Sequence, residues 1–190
     1  MNKIFKIIYL YDYLLSFALL IFIWPLLIFI YLVIFVEIGS PLFVQKRVGK
    51  NKEIFNLFKF RTMKIGTPSI DSHKINSTYI TNTGKILRKL KLDELPQLIN
   101  VLKGEMSLVG PRPNLPIQLE LIVEREKYNL YRFKPGITGL SQINNIDMSN
   151  PQLLAESDHK MMKNINQISY FKYLFRTLIG KGKGDAIIGK

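Results

Sequence analysis

The stretch Leu14-Leu15-Ser16-Phe17-Ala18-Leu19-Leu20-Ile21-Phe22-Ile23-Trp24-Pro25-Leu26-Leu27-Ile28-Phe29-Ile30-Tyr31-Leu32-Val33-Ile34-Phe35-Val36 carries no charge. As one straight helix it would rise about 34 Å, enough to cross a hydrocarbon core of about 30 Å. Lys3, Lys6 and Asp12 precede it, and Glu37, Lys46 and Arg47 follow. The run is too long for a signal peptide, and no small-residue cleavage site follows it. This segment stays in the membrane. Trp24-Pro25 sits at its centre, where proline removes one backbone hydrogen bond and crowds the preceding turn. Two readings are open at this point. One is a kinked spanning helix. The other is a bent re-entrant helix that enters and leaves by one leaflet, each half reaching about 16 Å, near the midplane. Positive charge on both flanks leaves the orientation undecided.

Outward from this run, residues 39–190 are polar and hold no second stretch long enough to span. The division is therefore 1–38 membrane-embedded and 39–190 globular. The whole chain has 190 residues, a net charge of +13 and 47% hydrophobic residues, which excludes a disordered tail. Without cysteine there is no disulfide framework, thiolate catalysis or Cys-bound zinc, and His73 and His159 alone are poor material for a His-based metal site. A basic, cysteine-free chain fits a reducing cytoplasm and anionic partners: nucleic acid, a membrane surface or phosphorylated substrates. No helix-turn-helix, RNP or zinc pattern is present, so nucleic acid is not expected.

Pro41–Val48 and Ile54–Arg61 are short and β-rich around Gly49-Lys50-Asn51, and are predicted as a hairpin. Lys64–Thr83 reads as a long polar loop. Leu92, Leu95, Leu98, Ile99 and Leu102 share one helical face, with Gly104 as the stop. Asn114–Phe133 holds another helix candidate. Ile168–Ile179 mixes Tyr170, Phe171, Tyr173 and Phe175 with Lys172 and Arg176, which suits either a lipid-interface helix or a core helix with a basic edge. Gly180–Gly184 reads as a flexible basic tail, since no Walker spacing accompanies it.

The densest polar cluster is Arg88-Lys89-Leu90-Lys91-Leu92-Asp93-Glu94-Leu95-Pro96. Pro96 is tolerated in a first helical turn, which puts Asp93 and Glu94 at a helix N-terminus. Acidic residues there commonly do nothing more than cap. Adjacent carboxylates can also divide labour, one binding Mg²⁺ or attacking phosphorus while the other handles protons. In Ser107-Leu108-Val109-Gly110-Pro111-Arg112-Pro113 two prolines fix the backbone around one arginine, so its guanidinium can be presented to phosphate at little entropic cost. Taken alone, that segment is a linking loop with a solvated arginine. Lys59-Phe60-Arg61-Thr62-Met63 adds cations at the end of the second strand, alternating with Phe58 and Phe60.

In combination these segments are similar to the bacterial sugar transferases, the monotopic phosphoglycosyl transferases. The resemblance rests on the Pro25-broken apolar segment, Gln45-Lys46-Arg47-Val48-Gly49, Lys59 to Met63, Leu92 to Gly104, Ser107 to Pro113 and Lys134-Pro135-Gly136-Ile137-Thr138-Gly139. It implies an α+β, mainly helical fold with a re-entrant membrane helix broken at Pro25, a small β-hairpin and interfacial amphipathic helices. It also implies transfer of a sugar 1-phosphate from a UDP-sugar to polyprenol (undecaprenyl) phosphate, with UMP leaving. The site would lie on the cytoplasmic face of the bacterial inner membrane, against leaflet lipid.

By this resemblance Asp93 is the nucleophile that forms an acyl-phosphate and contacts Mg²⁺, and Glu94 deprotonates or positions the polyprenol phosphate. Lys59, Arg88, Pro111, Arg112, Pro113 and Gln142 form the substrate-binding set. Three positions depart from the family pattern. Trp24 stands where the break is often Ser-Pro. Asn144-Asn145-Ile146 replaces Asn-Gly-Arg, and Asp158 is followed by Met161 where the family has Tyr. Two rivals remain: a polyprenol-phosphate glycosyltransferase releasing UDP, although the chain has no Asp-x-Asp, and a basic membrane-anchored scaffold without turnover.

Overall fold

The computed structural model describes residues 3–67 and 77–182. Residues 68–76 of the expected long loop, His73 among them, and the last residues of the expected Gly-rich tail lie outside the described residues. Helix α1, Lys3–Ile38, precedes the antiparallel hairpin β1, Leu42–Val48, and β2, Ile54–Phe60. The hairpin forms where it was expected, and its register pairs Val44 with Phe58 and Val48 with Ile54. Then come α2, Asn82–Leu90; α3, Gln97–Leu102; β3, Ser107–Val109; α4, Leu119–Lys127; β4, Gly136–Thr138; and α5, Leu140–Ile143. Helices α6, Pro151–Lys163, and α7, Gln167–Leu178, complete the fold. The architecture is mainly helical, with a small hairpin, as expected.

The expected break at Pro25 does not divide α1, which is one element from Lys3 to Ile38. One face explains why. Phe5, Ile8, Asp12, Ser16, Ile30 and Ile34 are buried, and Leu20, Ile23 and Leu27 between them are partly covered. This spacing of three and four residues makes one continuous stripe against the globular body, so packing on both sides of Pro25 offsets its single missing hydrogen bond. The other faces leave Leu14, Phe17, Phe22, Trp24, Phe29, Leu32 and Val36 exposed, Val36 at 88%. So large a contiguous apolar surface is not sustained in water and marks α1 as membrane-associated.

The stripe is pinned by a polar contact that the sequence analysis treated only as a flanking charge. Asp12, 3% exposed, accepts from the Leu108 N–H at 2.9 Å and the Tyr170 hydroxyl at 2.8 Å. It ties α1 to β3 and α7.

Three local expectations change. The predicted long loop ends early, because Thr81 accepts from the Gly84 N–H at 3.0 Å and starts α2 at Asn82. The predicted Leu92–Leu102 helix is split into a 3₁₀ turn, Leu92–Glu94, and α3, with Pro96 at the junction. Asn114–Phe133 shortens to α4 plus a 3₁₀ turn, Leu130–Arg132. The parallel pair β3–β4 was not expected, since its three-residue strands are too short to show a period. Gly110 and Gly136 lie so close there that a Cβ on Gly136 would overlap the Gly110 backbone.

Helix α7 packs one side into the core and leaves an apolar side exposed. Tyr170 is fully buried, while Ile168, Phe171, Phe175 and Leu178 are exposed among Lys172 and Arg176. Tyr11 meets Phe171 at 5.4 Å between ring centres, so this exposed apolar face continues that of α1.

Candidate active site

The 3₁₀ turn Leu92–Glu94 is built by its two neighbours. Lys91 closes α2 in the left-handed region, φ 58° and ψ 21°, which reverses the chain. Pro96 then permits a new helix to start. Within the turn Leu92 points into the cluster of Ile30, Ile34, Phe60 and Leu87, with Leu27 and Ile38 alongside. The turn that bears the two carboxylates is therefore anchored through Leu92 beside the carboxyl-terminal third of α1.

Asp93 is 3% exposed and Glu94 7%. Leaving such carboxylates unpaired would be costly, and cations from distant segments converge on Glu94. Glu94 Oε1 accepts from Arg112 Nη2 at 2.7 Å and from Lys59 Nζ at 3.4 Å. Lys59 is itself buried, on the face of β2 that carries Phe55 and Leu57, so the expected alternation places this lysine inward rather than in solvent. Arg88, in the last turn of α2, donates from Nε to Thr62 Oγ1 at 2.8 Å.

The Pro111–Pro113 loop is held from three sides. Arg47 Nη1 donates to Pro113 O at 3.0 Å, the Gly136 N–H donates to Pro111 O at 2.8 Å, and Arg125 Nη1 donates to Arg112 O at 2.8 Å. The backbone around Arg112 is thus held by these three hydrogen bonds as well as by its two prolines. Gln142 donates to Gly110 O at 3.3 Å, next to the same loop. The structure thus gathers Lys59, Glu94 and Arg112 at contact distance with Asp93 next to Glu94 in the same turn, sets Arg88 on the helix that leads to them, and puts Gln142 behind the loop. Trp24 and Pro25 are exposed on α1 and belong to its membrane face.

Sequence reasoning missed three contributors. Arg125 is buried on α4 and pairs through Nη2 with Asp158 Oδ2 at 2.6 Å, while Ser141 Oγ donates to Asp158 Oδ1 at 2.8 Å. Burial pushes the Asp158 carboxyl up, and the Arg125 guanidinium pulls it back. Gln97, one turn past Asp93, is buried with an amide nitrogen that makes no hydrogen bond. Lys91 was quoted in the polar cluster without a role. Arg125 could have been suspected from its position one turn after Leu121 on the buried face of α4.

Among the described residues no cluster of three or more Asp, Glu, His or Cys stands ready for a metal. Asp93 and Glu94 nevertheless fit Mg²⁺. That ion is usually held by one or two protein carboxylates, with substrate phosphates and waters completing its shell.

The family model described as bacterial sugar transferase matches residues 1–182. A sugar transferase, EpsL, of Bacillus subtilis is 46% identical over 120 residues, 63% of this chain and 59% of that one. An undecaprenyl-phosphate glucose phosphotransferase of Komagataeibacter xylinus is 43% identical over 143 residues, 70% of this chain and 27% of its own length. An undecaprenyl-phosphate galactose phosphotransferase of Salmonella typhimurium is 36% identical over 150 residues, 70% of this chain and 31% of its own. In each case the match spans less than two thirds of the relative's length.

Proposed function

The chain belongs to the bacterial sugar transferase family, and on that premise we propose that it is a phosphoglycosyl transferase. It moves a sugar 1-phosphate from a UDP-sugar to undecaprenyl phosphate and releases UMP, the first membrane step of a surface polysaccharide or glycoconjugate. The observation that carries this reading is the packing of Leu92 with Ile30 and Ile34, which sets the turn bearing Asp93 and Glu94 beside the membrane helix. A lipid-tailed phosphate and a water-soluble diphosphate can meet only at such a boundary.

In the first step an Asp93 carboxylate oxygen attacks the sugar-bearing phosphorus. The bond from that phosphorus to the bridging oxygen breaks, and UMP leaves with that oxygen. In the second, Glu94 takes the proton of undecaprenyl phosphate, whose oxygen attacks the same phosphorus and returns Asp93 as a carboxylate. Lys59 and Arg112 hold Glu94 in place and offer charge to phosphate oxygens, with Arg88 as a further cation. Mg²⁺, held by Asp93 and supported by Glu94, would neutralise diphosphate charge.

Residues 1–38 are the membrane-embedded part and 39–190 the catalytic part. The stripe on α1 supports a re-entrant, one-sided seating on the cytoplasmic leaflet over a spanning one. A basic globular body that packs near both ends of α1 cannot lie on both sides of a bilayer. Pro25 is where a bend into the leaflet costs least. The exposed apolar face of α7, with Lys172 and Arg176, suits the headgroup boundary beside it.

The test is nucleotide release by purified protein with Mg²⁺, a panel of UDP-sugars and undecaprenyl phosphate. UMP release that needs both the lipid phosphate and Asp93 supports the reading. UDP release overturns it in favour of glycosyl transfer. Silence from folded protein across the panel returns the scaffold.

A further inference from the structure

The Gly-rich tail expected to be flexible begins as an ordered turn. The Lys181 N–H donates to Arg176 O at 2.9 Å and closes the end of α7, and Gly180 and Gly182 both take φ of +83°. This turn touches the candidate active site twice. Lys91 Nζ donates to Lys181 O at 2.6 Å. The Gly182 backbone lies against the Gln142 carbonyl so closely that a Cβ there would overlap it.

Both contacts bear on chemistry. Lys91 is the left-handed residue from which the Asp93–Glu94 turn departs, and the Glu94 N–H reaches back to Lys91 O at 3.4 Å. Gln142 reaches Gly110, directly before Pro111-Arg112-Pro113. A non-glycine residue at φ 58° persists where its surroundings hold it, and the Lys181 carbonyl is such a hold.

We propose that the carboxyl-terminal turn Gly180–Gly182 is a positioning element of the active site, and that Lys91 is the positioning residue through which it acts on Asp93 and Glu94. The inference rests on the phosphoglycosyl transferase reading only for its activity readout. Lys91 fixes the turn that carries the nucleophile from one side, and Gly182 fixes Gln142 and the arginine loop from the other. The site is thereby closed by the turn that follows α7.

Four variants of the full chain test this in lipid nanodiscs: Lys91→Met, Lys91→Arg, Lys91→Gly and Gly182→Ala. Two readouts are taken, the rate of trypsin cleavage after Lys181 and the kcat and KM for UMP release. Lys91→Met and Gly182→Ala are expected to speed cleavage and to lower kcat about ten- to a hundredfold, as for a slightly misplaced nucleophile. Lys91→Arg keeps a donor and is expected to restore most of both. Lys91→Gly suits the left-handed backbone, so its melting temperature is expected to hold or rise while kcat falls. A purely structural contact would instead move stability and activity together. Faster cleavage with unchanged kcat in an active protein overturns the positioning role, and so does failure of Lys91→Arg to rescue. Wild-type protein that releases no UMP at all would instead strike the function on which that readout depends.

Discussion

Two acid–cation pairs sit one behind the other, joined by a single hydrogen bond. In front, Glu94 meets Arg112 at 2.7 Å and Lys59 at 3.4 Å. Behind, Asp158 meets Arg125 at 2.6 Å, and Arg125 donates to the carbonyl of Arg112 at 2.8 Å. The chemistry is the same and the setting is not. The rear pair has side chains 3% and 0% exposed, and Ser141 occupies the second oxygen of Asp158. In the front pair Arg112 keeps 19% of its side chain exposed, and its partners come from separate segments of the chain. A sealed pair can only hold structure. A pair with one side open can also hold a substrate phosphate, and here the sealed one braces the open one.

The sharpest break of this comparison is Asp93→Asn, which removes the proposed nucleophile and keeps the side chain's shape. UMP release is expected to fall at least about a thousandfold with no change in melting temperature. A fall of less than about tenfold would leave the front site without its nucleophile. Next in size is Asp158→Ala. It strands a buried guanidinium and is expected to cost about 3–5 kcal/mol of stability, read as a lowered melting temperature in detergent. The double change Arg125→Met with Asp158→Leu removes both charges and should recover much of that loss. Should the double variant stay stable yet lose activity, Arg125 acts on the Arg112 loop, as its bond to that carbonyl implies.

How legible these two pairs were differs for a physical reason. The front site was readable because its residues stand in short, dense segments: Asp93-Glu94 before Pro96, and Arg112 between two prolines. Pro96 and the two prolines state their backbone geometry outright. The rear pair is assembled from α4 and α6, and apart from the one-turn spacing to Leu121 nothing in Glu124-Arg125-Glu126 separates a buried arginine from a solvated one. The hairpin was legible from alternation, and α1 from its uncharged length. The β3–β4 pair was not, since it depends on two glycines meeting across the fold. Lys59 was expected to alternate with aromatic neighbours, and only tertiary structure could say that Glu94 would draw it inward. Lys91 was hidden for a similar reason. Its left-handed backbone is held by a carbonyl ninety residues away.

A finer test of the front pair is Arg112→Lys, which keeps the charge and loses the planar fork. Lysine can still neutralise Glu94, so stability is expected to change little. A point charge cannot hold Glu94 and a phosphate oxygen in fixed geometry together, so kcat/KM for the donor is expected to drop about ten- to a hundredfold. If lysine served equally well, charge alone would suffice there, and the two flanking prolines would have no role in orienting the group.

The smallest expected effect is on the pH profile, where stability and activity are expected to move in opposite directions. Burial lowers the Lys91 pKa below its ordinary 10.5. Between that lowered value and 10.5 the unfolded chain holds more protons than the folded one, so this group's contribution to stability rises with pH across the window. The ammonium that grips the Lys181 carbonyl is lost over the same window, so activity is expected to fall as this contribution to stability grows. Arginine stays charged throughout, and Lys91→Arg should therefore carry the alkaline limb of kcat to higher pH. The measurement is kcat against pH for both proteins, beside melting temperature at the same points. Superimposable alkaline limbs would assign that limb to another group and leave Lys91 a contact without electrostatic consequence.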